Sequence, residues 1–100
     1  MRPYLVAALL LPLPAVADPI AEGATFVQRN CAGCHAVTAE DASPNPRAIP
    51  FRFIGRLYPI EDLEEALAEG ILTSHEMPEF VLEPDQVSAL ILYLKSIQVR

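Results

Sequence analysis

Two thiols and an imidazole stand side by side near the start of this 100-residue chain, in the run Cys31-Ala32-Gly33-Cys34-His35. Cysteines at i and i+3 lie about one helical turn apart, so both sulfurs can reach along one edge of a flat ligand. A histidine that follows at once can offer a neutral ring nitrogen to a metal at the centre of that ligand. The spacing indicates covalent attachment of a c-type haem through Cys31 and Cys34, with His35 as an iron ligand.

Three other kinds of site use the same residue types. A structural zinc normally takes four ligands, and Cys31, Cys34, His35 and His75 could supply them, although adjacent Cys and His ligands fit the usual zinc spacings poorly. A redox-active C-x-x-C motif is typical of thioredoxin-like βαβ chains, which this length and pattern do not indicate. A structural disulfide between Cys31 and Cys34 would close almost no loop and would stabilise little. These sites stay open as alternatives to haem.

The first seventeen residues have the composition of a secretory signal peptide. Arg2 supplies a positive charge, residues 5–13 are almost wholly apolar, and Ala15-Val16-Ala17 has the small-x-small form of a cleavage site. The apolar run is too short to span about 30 Å of hydrocarbon, and Pro12 interrupts it. We therefore expect cleavage after Ala17, export to the bacterial periplasm, and a mature domain of residues 18–100 with no stable membrane insertion.

The charge of the expected mature domain is unevenly distributed. It carries thirteen acidic residues against six basic ones once Arg2 is removed, a formal charge of −7. Residues 18–60 balance four acids against four arginines, whereas residues 61–100 hold nine acids against Lys95 and Arg100. Nucleic-acid binders present clustered Lys and Arg, so this composition argues against a nucleic-acid partner. It favours a protein partner that presents a basic patch.

Helical patterns stand on both sides of the pentapeptide. Pro19 to Asn30 is predicted as a first helix with Asp18 as its N-cap. Pro59 to Glu69 is predicted as a second helix that ends at Gly70. A third is predicted from Pro84 to Gln98, because apolar residues recur there at helical spacing, namely Val87, Leu90, Ile91, Leu94 and Ile97.

A second candidate iron ligand lies between the second and third helices, in Met77-Pro78-Glu79-Phe80. With the pentapeptide, this segment makes the chain resemble the class I cytochromes c from about Pro19 to Gln98. The resemblance implies an all-α class I cytochrome c fold, with three to four helices around one covalently bound haem c. It also implies that the Met77 thioether binds the iron opposite His35. His75, two residues earlier, stays as the alternative distal ligand.

The resemblance also implies roles for residues outside the two motifs. The first and last helices of the family cross, which places Gly23 at the crossing with Tyr93 as the aromatic from the last helix. In the family, a carbonyl of the connection after the pentapeptide accepts the Nδ1 proton of the proximal histidine, and Ile49 stands at the matching position. Residues 36–58 show no helical or strand period, and they are expected to form that connection. Four apolar residues of the connection are expected to pack around the haem: Phe51, Phe53, Ile54 and Leu57. The candidates to bond its propionates are Arg47, Arg52, Arg56 and Tyr58.

The function implied by the resemblance is one-electron transfer. A His–Met ligand pair fills both axial positions of the iron, so we expect a periplasmic electron carrier and not an enzyme, with redox proteins as its partners. The first alternative is a haem relay subunit bound permanently to a periplasmic dehydrogenase or oxidase. The second is an enzyme or gas sensor in which Met77 leaves the iron.

Overall fold

Helices form the framework of the domain, in a computed structural model that describes residues 18–70 and 77–99. In chain order they are α1 (Pro19–Asn30), a 3₁₀ helix (Phe51–Arg56), a 3₁₀ turn (Ile60–Asp62), α2 (Leu63–Glu69) and α3 (Pro84–Ile97). The predicted all-α fold is confirmed. The expected signal peptide (residues 1–17) and His75 lie outside the described residues. In the part of the chain that the structure describes, no helix has the length and apolar character needed to cross a membrane.

The first helix, α1, begins and ends where its sequence predicts. The side chain of Asp18 caps it, because Oδ1 accepts hydrogen bonds from the amides of Ile20 and Ala21 at 3.0 and 3.4 Å. Pro19 occupies the first turn, where its missing N–H costs no intrahelical bond. At the other end, the amide of Cys31 still donates to Val27 O at 2.9 Å. The helix therefore leads directly into the pentapeptide.

Helices α1 and α3 cross at Gly23, as predicted. A Cβ placed on Gly23 would lie 2.7 Å from Tyr93 Cβ and 2.9 Å from the backbone carbonyl carbon of Ala89, and it would overlap that carbonyl oxygen. Only glycine leaves room for so close an approach between the two helices. Val27, one turn later, is fully buried beside the crossing, and Phe26 is half-buried against the same core.

The last helix, α3, supplies most of the buried apolar side chains. Pro84 is its first residue, and a reciprocal pair of hydrogen bonds between Glu83 and Gln86 caps its start. The predicted stripe is buried at Val87, Leu90, Ile91 and Leu94, while Ile97 is half-buried. The helix ends at Ile97, one residue before the predicted end, because Gln98 has extended backbone angles.

The connection after the pentapeptide is more regular than predicted. Its residues Phe51–Arg56 form a 3₁₀ helix, which begins with a hydrogen bond from Phe53 N to Pro50 O at 3.0 Å. A 3₁₀ helix closes i to i+3 bonds and leaves no 3.6-residue period for sequence patterns to reveal. Phe51 and Ile54 are buried in it and Phe53 is half-buried. Leu57, which was expected to pack around the haem, is 66% exposed to solvent in the protein.

The second helix, α2, and the glycine that follows it contact the segment that contains Met77. It ends at Gly70, whose φ of 106° is the left-handed region that favours glycine. Gly70 also contacts Glu79, since a Cβ there would lie 3.2 Å from Glu79 Cγ. Further along, the amide of Leu82 donates to Leu67 O at 3.1 Å. These two contacts, Gly70 with Glu79 and Leu67 with Leu82, form what we call the α2 clamp.

Candidate haem site

The pentapeptide continues the rotation of α1 as a turn. The amides of Cys34 and His35 both donate to the carbonyl of Cys31, at 3.2 and 2.9 Å. The two cysteines are not joined by a disulfide; Cys31 is half-buried and Cys34 is exposed. The turn thus has the helical geometry on which the predicted spacing argument rests.

The surroundings of Cys31 suit a neutral sulfur. Burial raises the pKa of its thiol to about 11, so the thiolate is disfavoured at neutral pH. Zinc ligands and redox-active cysteines act as thiolates, whereas a thioether to haem carries no charge. Among residues 18–70 and 77–99, moreover, no three His, Cys, Asp or Glu side chains come together as a metal site would require. The raised pKa argues against a redox-active thiolate at Cys31, and the described residues assemble no zinc site.

The ring of His35 is held by a backbone carbonyl and an aromatic neighbour. Its Nδ1 donates a hydrogen bond of 2.7 Å to the carbonyl of Ile49, and its ring centroid lies 4.7 Å from that of Phe51 with a 37° tilt. Because a carbonyl can only accept, the proton sits on Nδ1 and the lone pair of Nε2 is left for a metal. The predicted contact with Ile49 is confirmed.

The loop between the pentapeptide and the 3₁₀ helix folds back on the turn that carries the cysteines. The amide of Asn45 donates to Cys34 O at 3.1 Å, and the amide of Phe51 donates to Ala36 O at 2.9 Å. The hydroxyl of Ser43 accepts from the amide of Ala36 at 2.9 Å. These bonds fix the position of Ile49 relative to His35, fourteen residues away.

Asp41 organises the start of this loop. Its carboxylate accepts hydrogen bonds from the amides of Val37 and Thr38, at 3.1 and 2.9 Å, and from the Thr38 hydroxyl at 2.8 Å. Burial alone would raise the pKa of Asp41, but these hydrogen bonds outweigh it and lower the pKa below the usual value. The loop is therefore tied together by an ionised carboxylate.

Arg52, one of the four propionate candidates, is bonded to the loop. Arg52 donates from a guanidinium nitrogen to Asp41 O at 2.6 Å and lies 3.7 Å from the carboxylate of the same residue. Its guanidinium also lies over the ring of Phe53, at 4.7 Å from the centroid. Arg56 packs over the same ring at 4.6 Å and is itself exposed. The contacts of Arg52 thus hold the loop, and a role with the propionates stays a prediction for all four candidates.

Met77 lies in the segment that the α2 clamp secures. Met77 is half-buried. Each contact of the clamp joins a residue shortly after Met77, Glu79 or Leu82, to a residue in or directly after α2. Its rival, His75, lies outside the described residues. The choice of Met77 as the distal ligand therefore stays a prediction.

A comparison with known protein families identifies the family of the chain. The family described as cytochrome c oxidase, cbb3-type, subunit III matches residues 18–94. The chain belongs to this family. No curated protein and no solved structure matches it. The match identifies a c-type cytochrome domain, as the resemblance to class I cytochromes c implied, and its cofactor is covalently bound haem c.

Two side chains that support the haem site of this c-type cytochrome were not predicted in these roles. The hydroxyl of Tyr93 donates to Val37 O, and the side-chain amide of Gln98 bonds to the 3₁₀ helix. Both contacts join residues more than forty positions apart, so no local sequence pattern predicts them. The role of Asp41 did leave a local signal, since Thr38-x-x-Asp41 is the spacing at which side chains bond to nearby amides.

Proposed function

We propose that this chain is a periplasmic one-electron carrier whose haem is attached to Cys31 and Cys34 and ligated by His35 and Met77. The observation that carries the proposal is the bond from His35 Nδ1 to Ile49 O, because it leaves Nε2 available beside the two cysteines. When bound, the haem supplies one-electron chemistry. Cys31 and Cys34 would attach it, and His35 and Met77 would bind its iron.

Mass spectrometry of denatured protein tests the attachment. Purified protein from an expression host that makes c-type cytochromes is expected to keep one haem after unfolding, and the haem is expected to resist extraction with acidified acetone. Replacing both cysteines, as Cys31→Ser/Cys34→Ser, is expected to make any bound haem extractable. Replacing Ser43→Ala serves as the control, since it changes the loop and leaves both thiols intact. Extraction of the haem from the unaltered protein would refute the assignment of the two cysteines.

The charge of the described surface supports docking to a basic partner. Carboxylates of α2, of the turn before it and of the segment that contains Met77 are exposed, and the close approach of Gly70 to Glu79 brings that segment to the end of α2. We call this set the acidic surface; its members are Asp62, Glu64, Glu65, Glu69 and Glu79. Lys95 is the single described cation beyond residue 60, and it is paired with Glu61. Glu79 of the acidic surface thus lies two residues from Met77, and the described cation of α3 is engaged by Glu61.

Electron transfer to small charged reagents measures whether this surface steers encounters. Reduction of the ferric protein by hexaammineruthenium(II), a cation, is expected to slow as salt is added, because screening over about 8 Å removes the attraction. The double variant Glu64→Lys/Glu65→Lys is expected to flatten that dependence. The matched control Glu22→Lys/Asp85→Lys changes the formal charge equally on a groove between α1 and α3. An equal effect of both variants would show that net charge, and not the acidic surface, sets the rate.

Membership in a family of oxidase subunits favours a second candidate, a haem relay held permanently in an oxidase complex. The two functions differ in how long the chain stays bound. A tagged chain isolated from its native cells would emerge alone as a carrier, whereas a relay would elute with oxidase polypeptides in fixed ratio. Washing with salt separates the cases further, since an encounter steered by charge is lost and a permanent interface survives.

A further inference from the structure

The side chain of Gln98 satisfies three backbone groups of two separate helices. Its Nε2 donates to Phe51 O at 2.7 Å and to Leu94 O at 2.8 Å, and its Oε1 accepts from the amide of Gly55 at 2.7 Å. The next residue continues the contact, because the amide of Val99 donates to Arg52 O at 2.9 Å. The end of α3 is therefore bonded to the 3₁₀ helix near both of its ends.

The side chain of Gln98 lies closely against Gly55. A Cβ on Gly55 would lie 2.9 Å from Gln98 Oε1 and 3.5 Å from its Cδ. The amide group uses both of its donor hydrogens and one acceptor site, so a side chain of another chemistry cannot replace all three bonds. Ending α3 by itself would require none of the bonds to Phe51 or Gly55.

The residue that Gln98 holds is one that touches His35. Phe51 is buried and its ring lies against the imidazole, while the amide of Phe51 bonds to Ala36, directly after His35. Ile49, two residues before Phe51, accepts the Nδ1 proton. A shift of Phe51 would therefore move both groups that orient the ring.

We infer that Gln98 is a positioning residue for the proximal histidine, acting through Phe51 and the Ile49 carbonyl. The inference rests on the proposed role of His35 as an iron ligand. Loosening the bond to Ile49 weakens the electron donation of the imidazole, which raises the reduction potential of the iron. Gln98 thus tunes a haem property from the far end of the chain.

The test compares Gln98→Met, which keeps the length of the side chain but loses every hydrogen bond, with Gln98→Glu, which keeps the acceptor and loses both donors. Val99→Ala is the matched control, because this exposed neighbour bonds only through its backbone. The readouts on haem-loaded protein are the reduction potential and the hyperfine-shifted proton resonances of His35 in the ferric state. Gln98→Met, which adds no charge, is expected to shift the potential upward, whereas the charge added by Gln98→Glu opposes such a shift. Both Gln98 variants are expected to speed solvent exchange of the Nδ1 proton about tenfold.

The outcomes separate this inference from the assignment of His35 itself. If the unaltered protein shows no hyperfine-shifted His35 resonances, then His35 is not the ligand, and the proposed function fails first. If those resonances are present and neither Gln98 variant moves them or the potential, Gln98 only stabilises the fold, and the inference is wrong. A change in Val99→Ala as large as in Gln98→Met would also overturn it.

Discussion

The hydroxyl of Tyr93 on α3 donates a hydrogen bond to the backbone carbonyl of Val37, in the loop that follows the pentapeptide. Val37 is 1% exposed, so water cannot replace this partner. Burial raises the pKa of the Tyr93 hydroxyl, and the nearby charge of Asp41 adds to the effect. One side chain therefore meets α1 at the crossing through its Cβ and bonds the loop after the pentapeptide through its hydroxyl.

Tyr93→Phe is expected to lower the free energy of unfolding of the haem-loaded protein by about 1–2 kcal/mol, because it leaves a buried carbonyl without a partner. Denaturant titration followed by circular dichroism measures this loss. Tyr58→Phe removes a hydroxyl from a side chain that is 41% exposed, and it is expected to change stability by less than about 0.5 kcal/mol. Equal effects of the two substitutions would contradict the role of the Tyr93 hydroxyl.

Gly23→Ala is expected to destabilise the protein by about 1–3 kcal/mol, since the new methyl group would overlap the backbone of Ala89. Backbone atoms cannot rotate away, so α1 and α3 must separate. Thr25→Ala, at an exposed position of the same helix, is the control. Thermal unfolding of both variants measures the loss of stability. A Gly23→Ala protein as stable as the control would mean that the helices do not cross this closely.

The low pKa of Asp41 predicts a loss of stability in acid. Its folded pKa lies below the unfolded value, near 3.9, so its contribution is present above about pH 4 and disappears as the pH falls through the folded pKa. Asp41→Asn is expected to be less stable than the unaltered protein at pH 7 and to lose less stability between about pH 5 and pH 3. Glu40→Gln, on the exposed neighbour, should keep the original pH dependence. Parallel curves for the unaltered protein and Asp41→Asn would exclude the carboxylate as the cause.

The distal ligand can be identified from the absorption of the ferric protein. A methionine thioether on ferric haem produces a weak far-red charge-transfer band, which haems with two histidine ligands lack. We expect the band in the unaltered protein and in His75→Ala, and its loss in Met77→Ala. Persistence of the band in Met77→Ala would rule out Met77 as the ligand.

The elements that depend on neighbouring residues could be predicted from the sequence. Asp18 and Pro19 mark the start of α1 because caps act within one turn, and the apolar stripe of α3 has a helical period. The contact of His35 with Ile49 followed from resemblance to a family, not from the residues themselves.

Other features could not be predicted because they join distant parts of the chain. The bonds of Gln98 to Phe51 and Gly55 are between a side chain and backbone groups more than forty residues earlier, and such pairs have no sequence period. Arg52 illustrates the same limit, because an arginine near a haem motif could bond a propionate or a carbonyl. The contacts of Arg52 depend on where the fold places Asp41, which the sequence does not reveal.

The separations along the chain imply an order of folding. The bond from His35 to Ile49 closes a segment of 14 residues, whereas those from Gln98 to Phe51 and from Tyr93 to Val37 span 47 and 56. Short loops close with less entropy loss, so the histidine can acquire its carbonyl partner before α3 is in place. We therefore expect that haem attachment does not require the docking of the last helix.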